Sequence, residues 1–327
     1  MRVTIAIPTL NRFEEAVAQA SRLEKDLSSL CRIVLSDNAS DTVSESDVRR
    51  AQQALPGVTV VQQPVQLSQW QHFATLALDH ADTEYFTWVA DDDFWDPEFF
   101  RNAVRLLDGD PGLDVVWPRA FRADPDGTPR GNQLNVDLRD LDRVDRLLAW
   151  QRLPSWAGIF ALFRTAFLQQ GLRTFRFSGI PGDDVLFISH LLTQTAPALA
   201  PQPEVGIRWV KWKSDVRYVA PEIREWYSSA GHRRLLEALL RQTLAEGLSL
   251  RERSEYLLRM FTEVALRRSA WNRRLRVWTA ARATTPLEGA SIESGWMVYR
   301  LFELPVRATT APRRLAGATL RRLRVRA

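Results

Sequence analysis

The feature that most constrains this chain is a repeated pairing, in which a short apolar run stops at a cluster of polar residues. Val3 to Ile7 ends in Pro8-Thr9-Leu10-Asn11, Arg32 to Ser36 in Asp37-Asn38-Ala39-Ser40-Asp41, and Tyr85 to Val89 is followed by Asp91-Asp92-Asp93. Runs of this length, rich in β-branched and aromatic residues and closed by turn formers, read as buried strands. Val58 to Val61 and Leu113 to Trp117 read the same way. Helical stretches separate them. Asn11 is placed to cap a helix through Leu30, with Glu14 and Glu15 in its first turn. Ser68 to Asp82 puts Phe73, Leu76, Ala77 and His80 on one face. Asp96 and Pro97 open a further helix carrying Phe99, Phe100, Val104 and Leu107.

Strands alternating with helices through short loops predict an α/β protein with a mostly parallel central sheet and helices on both faces. Ligands of such sheets bind beyond the carboxyl ends of the strands, so the three polar clusters are expected to converge on one crevice. Residues 118–140, rich in Pro, Gly, Asp and Arg, read as an irregular insertion. Ser155 to Phe163 is strand-like, and Pro181 to Thr193 is a helix opening with Gly182-Asp183-Asp184. From about Pro221 the pattern changes to helices with Arg-rich faces, over Glu222 to Ala245, Ser249 to Ala283 and Gly295 to Phe302. A boundary is placed within residues 214–221.

The 327 residues are 45% hydrophobic and 25% charged, which suits one large globular domain with an appendage. The charge is divided unevenly. Residues 201–327 hold 25 Lys and Arg against 12 Asp and Glu, whereas residues 1–200 hold 19 against 27. An acidic front suits a domain that gathers divalent cations, and a basic tail suits an anionic partner. One cysteine, Cys31, excludes an intrachain disulfide and is expected to be a buried thiol. With no export signal and no apolar stretch long enough to span a bilayer, a cytoplasmic location is expected, with room for peripheral attachment to a membrane face.

Three aspartates at a strand end repel one another unless a cation or solvent offsets them. Asp91 and Asp93 are two apart, so in extended backbone both carboxylates point to one side. Hard oxygen ligands of this kind suit Mg²⁺ or Mn²⁺ bridging to a diphosphate. The plain alternative is a solvated acidic turn ahead of the helix at Pro97.

The run Leu67-Ser68-Gln69-Trp70-Gln71-His72-Phe73-Ala74, then Thr83-Glu84-Tyr85-Phe86 and Asp91-Asp92-Asp93 with Pro97 four residues on, resembles the family-two glycosyltransferases of GT-A fold. Bacterial members that build surface polysaccharides are the nearest in pattern. Ile5-Ala6-Ile7-Pro8-Thr9-Leu10-Asn11-Arg12 and Ser36-Asp37-Asn38-Ala39-Ser40-Asp41 resemble that family's nucleotide-binding signatures in order and spacing. The resemblance stops near residue 215, which makes residues 1–215 the expected catalytic domain and 216–327 a helical, basic C-terminal region. It implies that Pro8, Thr9 and Asn11 line the nucleoside pocket, that Asp37 accepts hydrogen bonds from the base, and that Asp91, Asp92 and Asp93 handle ribose and metal. Spacing from Pro97 favours Asp91 on the ribose and Asp92 on the metal; side-chain direction favours Asp91 with Asp93. Gln69 stands where the family usually has Asn.

Gly182-Asp183-Asp184-Val185-Leu186-Phe187 resembles the family's second acidic motif, normally Glu-Asp, which supplies the catalytic base. Asp184 is the first choice for that base and Asp183 the second. The implied chemistry is inverting transfer from a nucleotide-diphosphate sugar to the hydroxyl of a saccharide or lipid-linked acceptor, with Mn²⁺ or Mg²⁺ on the diphosphate. Trp156, with Gly158 and Arg164 nearby, reads either as a core tryptophan or as part of the acceptor side, where its face would stack on a sugar ring. Trp209, Lys211, Trp212, Lys213 and Arg217 read either as a clamp for the diphosphate or as a strand edge whose basic side chains snorkel to solvent. His72, His80, His190 and His232 lack metal-ligand spacing and read as structural.

Two other classes fit the sequence less well. A nucleotidyltransferase would need a glycine-rich loop after the first strand, which Pro8-Thr9-Leu10-Asn11-Arg12 lacks. A non-catalytic protein gripping anionic lipid or nucleic acid with its tail would not need the acidic motifs. The enzyme reading implies no nucleic-acid partner, and leaves the tail an anionic membrane surface.

Overall fold

The first strand, β1 (Val3–Thr9), is buried along its whole length and lies at the middle of the molecule. A computed structural model describes residues 1–124, 127–130, 137–152, 157–177, 183–201, 206–210 and 248–265. After β1 come α1 (Phe13–Leu27), β2 (Cys31–Asp37), α2 (Glu45–Ala54), β3 (Val58–Gln62), α3 (Gln69–Asp79) and β4 (Tyr85–Trp88). Then follow β5 (Phe94–Trp95), α4 (Pro97–Gly109), β6 (Val115–Trp117), β7 (Arg119–Ala123), β8 (Pro129–Arg130) and α5 (Arg143–Arg152). A short 3-10 turn, Ala157–Phe160, leads into β9 (Leu162–Arg164), α6 (Thr165–Thr174), α7 (Asp183–Leu192), β10 (Ala198–Leu199), β11 (Gly206–Val210) and α8 (Leu250–Ala265).

The central sheet has the order β10-β6-β9-β4-β1-β2-β3. It is mostly parallel as expected, and the antiparallel member is β9, between β4 and β6. Alternation along β1 decides which face each side chain joins. Ile5 and Ile7 pack with α1 and α4 residues such as Leu23, Phe99 and Phe100. Ala6 packs on the other face with Phe73, Trp88, Phe163 and Phe187. Both faces are therefore covered, the condition a parallel sheet needs. Trp88 is 0% exposed and donates its indole N–H to the Phe73 carbonyl at 3.0 Å, which pins α3 to β4. Truncating it to Ala would cost about 3–5 kcal/mol.

The helix ends follow local rules. Ser68 caps α3 and exchanges hydrogen bonds with Gln71, and Asp96 caps α4 ahead of Pro97. Ser44 and Asp47 form the same reciprocal box at α2, a helix the sequence reading passed over. The first helix departs from expectation. Its N-cap is Arg12, and Asn11 instead takes a left-handed conformation at φ 58°. Asn tolerates that region better than most residues, and the bend it makes carries the chain off β1 into α1.

Residues 119–123 and 129–130 are strands, not an irregular insertion. They form a second sheet, β5-β11-β7-β8, beside the acidic turn. Their shortness and mixed composition hide the strand period. Residues 157–160 form a 3-10 turn where a strand was expected, and only 162–164 pair into the sheet. The helix α8 lies within the expected C-terminal region yet packs on α5. Tyr256 is 0% exposed in the α3–α5–α7 core, and Arg259 pairs with Asp145. The proposed boundary at 214–221, the helix at 222–245, the basic-aromatic run 211–217, His232 and the arginine-rich tail lie outside the described residues.

Candidate active site

The parallel register aligns the strand ends. Thr9 of β1 is the partner of Asp37 on β2, and Asp37 is the partner of Gln62 on β3. On the other side Ala6 is the partner of Trp88, so the chain leaves β4 beside β1 and reaches Asp91 three residues later. These ends form one edge, and the sheet geometry brings the three polar clusters to it.

At its centre Thr9 Oγ1 donates to Asp91 Oδ2 at 2.8 Å. The Arg12 guanidinium reaches the same turn, donating through Nη2 to Asp91 and through Nη1 to Asp92. Asp91 is almost fully buried, whereas the Asp92 side chain keeps 24% of its exposure. Burial pushes the Asp91 carboxyl up to about 7, against the Arg12 charge and the Thr9 hydrogen bond, which favour the ionised form. Residues 91–93 form a turn, so the extended-strand argument for pairing Asp91 with Asp93 does not hold. It is Asp91 and Asp92 that share a partner. Asp93 is buried at 2%, and its carbonyl accepts from Gln19 Nε2 at 3.1 Å, which ties the turn to α1.

Beside this group Asp37 is 0% exposed. It accepts from the Ser40 N–H at 2.9 Å, the Ser40 hydroxyl at 2.5 Å and Gln62 Nε2 at 3.2 Å. Ser40 Oγ also accepts from the Asn11 N–H at 2.7 Å, and the Asn38 N–H donates to the Thr9 carbonyl at 2.9 Å. The β1 and β2 clusters are thus stitched together by their own backbones. Asn11 and Ala39 are the non-glycine residues with positive φ among those described, and both sit at this edge, where strain tends to be stored. Beneath the edge His72 is buried and lies 2.8 Å from Ser36 Oγ through its Nε2; burial pulls it down to about 4, so it is neutral at pH 7. Cys31 is a buried thiol pushed up to about 12.

Asp183 and Asp184 stand on a separate element, in the first turn of α7. Asp183 is 0% exposed. Asp184 keeps some contact with solvent, yet protein surrounds its carboxyl closely and desolvation pushes it up to about 7. The Val185 and Asp184 backbone N–H groups oppose that shift, and the neighbouring Asp183 charge adds to it. The carboxyl raised by burial thus lies beside the first N–H groups of the helix.

Arg12, Asn38, Ser40 and Gln62 were missed as site residues. A signal existed for Arg12, a cation directly after the first polar cluster of a domain whose third is three acids. Arg164 does not belong to the acceptor side. Its register partner is Tyr85, at the amino end of β4, and its guanidinium donates to the carbonyls of Leu107, Asp110 and Leu113, where it closes the end of α4. Gly158 packs against the rings of Trp117 and Trp150, where an added Cβ would come within 3.1–3.3 Å. Trp156 lies outside the described residues.

Asp91 and Asp92 are hard oxygen donors that already face one cationic group, the Arg12 guanidinium. Among the described residues no group of three or more His, Cys, Asp or Glu side chains gathers as a metal set. That donor set fits a cation which takes its remaining ligands from phosphate oxygens and water, as Mg²⁺ and Mn²⁺ do.

An α/β sheet with a polar, acidic carboxyl edge of this kind is the GT-A architecture of nucleotide-sugar transferases. The sequence matches the model of Glycosyl transferase family 2 over residues 4–172, and the chain belongs to that family. No curated protein matches it. Among solved structures, S. aureus TarS 1–349 aligns with a TM-score of 0.56 at 14% identity, over 81% of this chain and 75% of its own. The same protein in complex with UDP-GlcNAc aligns at 0.55, over 81% and 76%. A mannosyltransferase of Pyrobaculum calidifontis in complex with GDP-Man and Mn²⁺ aligns over 94% of this chain and 86% of its own, at 18% identity and a TM-score of 0.46. No described helix is long and apolar enough to cross a membrane.

Proposed function

We propose that this glycosyltransferase moves a sugar from a nucleotide-diphosphate donor to an acceptor hydroxyl with inversion at the anomeric carbon. The observation that carries the reading is the cluster of Thr9, Arg12, Asp91 and Asp92 beside Asp37 at one sheet edge. The nucleoside would lie against Pro8, Thr9 and Asn11, with its base on Asp37 and its ribose on Asp91. Asp92, with Asp91 or Asp93, would hold Mn²⁺ or Mg²⁺. When bound, the cation offsets the negative charge that grows on the departing diphosphate.

The chain's own residues do the rest. Thr9 and Arg12 fix the acidic turn, and Asn38 and Ser40 fix the loop that faces it. Asp184, or Asp183 in its place, takes the acceptor proton as the hydroxyl oxygen attacks. A carboxyl held near 7 is matched to that task at neutral pH. The acceptor class is a saccharide or lipid-linked glycan of bacterial polysaccharide synthesis, and the arginines of residues 305–327 would rest on an anionic membrane face. Residues 1–215 form the catalytic unit in this reading.

Because TarS shares the fold and was solved with UDP-GlcNAc, uridine diphosphate sugars come first in the test. Purified protein is incubated with UDP-, dTDP- and GDP-sugars with Mn²⁺ or EDTA, and release of the nucleotide diphosphate is measured. One donor class should be turned over with Mn²⁺ and spared in EDTA. Release of no diphosphate from any donor, together with no binding of any of the three nucleotides, would end the reading.

A further inference from the structure

One guanidinium spans two acidic residues that the proposed chemistry needs for something else. Arg12 Nη1 is on Asp92 and Nη2 is on Asp91, so one guanidinium holds the position next to both carboxylates. An ion ligated by both carboxylates needs that same position. We propose that Arg12 is a displaceable counter-ion: it holds Asp91 and Asp92 in the donor-free protein and gives them up to a divalent cation when a nucleotide diphosphate arrives to receive the guanidinium. This rests on the donor site proposed above.

The local backbone aims the arm. Asn11, at φ 58°, bends the chain after β1, and Arg12 follows as N-cap of α1 with φ −141° and ψ 42°. The Arg12 side chain is 26% exposed and that of Asp92 24%, whereas Asp91 keeps 2%. The pair is thus anchored on a buried carboxylate, and both Arg12 and Asp92 keep part of their surface in solvent.

Electrostatics supplies the coupling. A divalent ion entering beside a fixed guanidinium meets like charge, and expelling the guanidinium without a new partner gives up its charge-assisted hydrogen bonds to both aspartates. A diphosphate removes both obstacles, since it offers a guanidinium the forked oxygen geometry it pairs with best. Cation and donor should therefore load together, and the assistance each gives the other must be equal. Arg12 is a positioning residue in this scheme, and its loss should strengthen cation binding in the absence of nucleotide.

The test is titration of Mn²⁺, followed by its EPR signal, on wild type, Arg12→Gln and Arg12→Lys, first alone and then with UDP, dTDP or GDP. Wild type should bind Mn²⁺ weakly alone and more tightly with the matching nucleotide. Arg12→Gln should bind Mn²⁺ alone at least about tenfold more tightly than wild type, since two carboxylates lose their internal cation. The gain from nucleotide should shrink. In EDTA that variant should melt lower than wild type, and Mn²⁺ should restore it. Arg12→Lys, which keeps the charge without the fork, should lie between the two and serves if Arg12→Gln does not fold. Variants that bind Mn²⁺ no more tightly than a wild type whose nucleotide-dependent binding is intact would overturn the counter-ion role and leave the proposed function standing. A wild type that binds no Mn²⁺ even with a nucleotide would overturn both.

Discussion

The side chain of Asn38 makes two hydrogen bonds to the backbone of Leu67, accepting from its N–H and donating to its carbonyl, each at 2.9 Å. It ties the loop after β2 to the segment that enters α3, and its own N–H ties it to Thr9. Net gains of about 0.5–1.5 kcal/mol per bond put the loss in Asn38→Ala at about 1–3 kcal/mol. Donor affinity should fall with it, because the loop that carries Asp37 and Ser40 is released. Chemical denaturation and nucleotide calorimetry check this. Stability within 0.5 kcal/mol of wild type, on the order of the error of such measurements, would mean the loop is held elsewhere.

His72 gives the fold an acid-sensitive point. Burial lowers its pKa to about 4, with Asp37 opposing. The unfolded chain therefore binds a proton between pH 6.5 and 4 that the folded chain refuses. Stability is complete above about 6.5 and declines as pH falls toward 4, by up to about 1.4 kcal/mol per pH unit. In His72→Gln that part of the slope should vanish. Equal slopes in the two proteins between pH 6.5 and 4.5 would assign the acid sensitivity to other groups.

The base role proposed for Asp184 sets the expected pH profile of turnover. With its carboxyl near 7, the base is protonated at acid pH and kcat should fall about tenfold per unit well below that point. Above it, kcat should level off. Asp184→Asn should lose on the order of 10²–10⁴ in kcat, with donor affinity nearly unchanged. Equal losses in kcat and donor affinity would mark the residue as a cap of α7 instead, and Asp183→Asn then tests the alternative base.

Arg307, Arg313, Arg314, Arg321, Arg322, Arg324 and Arg326 carry the tail's charge. Each arginine at an anionic surface contributes about 1 kcal/mol, so four would suffice for reversible attachment. A protein ending at residue 304 should leave anionic liposomes and keep its donor hydrolysis in solution. Wild-type attachment should weaken with salt. Sedimentation unaffected by truncation or by salt would remove the membrane from the account.

The alternation of apolar runs and polar clusters was legible because β1, β2 and β4 are buried on both faces and end at a ligand edge, so their sequences are simple. The short strands were not. Arg119–Ala123 and Gly206–Val210 pair with each other at a sequence separation of 87, by the register of Gly206 with Arg119, and no local period announces a contact of that range. The helix Glu45–Ala54 buries Ala51 and little else, so it lacks an apolar stripe, and the Ser44-to-Asp47 box was its readable mark. The acidic cluster was legible as a cluster, but its geometry was not. Strand alternation would pair Asp91 with Asp93, but the backbone turns there. Arg12 was visible in the motif, but its partners lie about 80 residues away, and only the parallel register of β1 with β4 brings them together.

Calorimetric titration of the matching nucleotide sugar into wild type and Asp92→Asn, each with Mn²⁺ and with EDTA, tests the donor site most directly. A hard cation holds poorly to an amide, so the account predicts cation-dependent binding in wild type and its loss in a variant whose melting temperature shows that it is folded. Binding of equal strength in EDTA, or in Asp92→Asn with Mn²⁺, would contradict it.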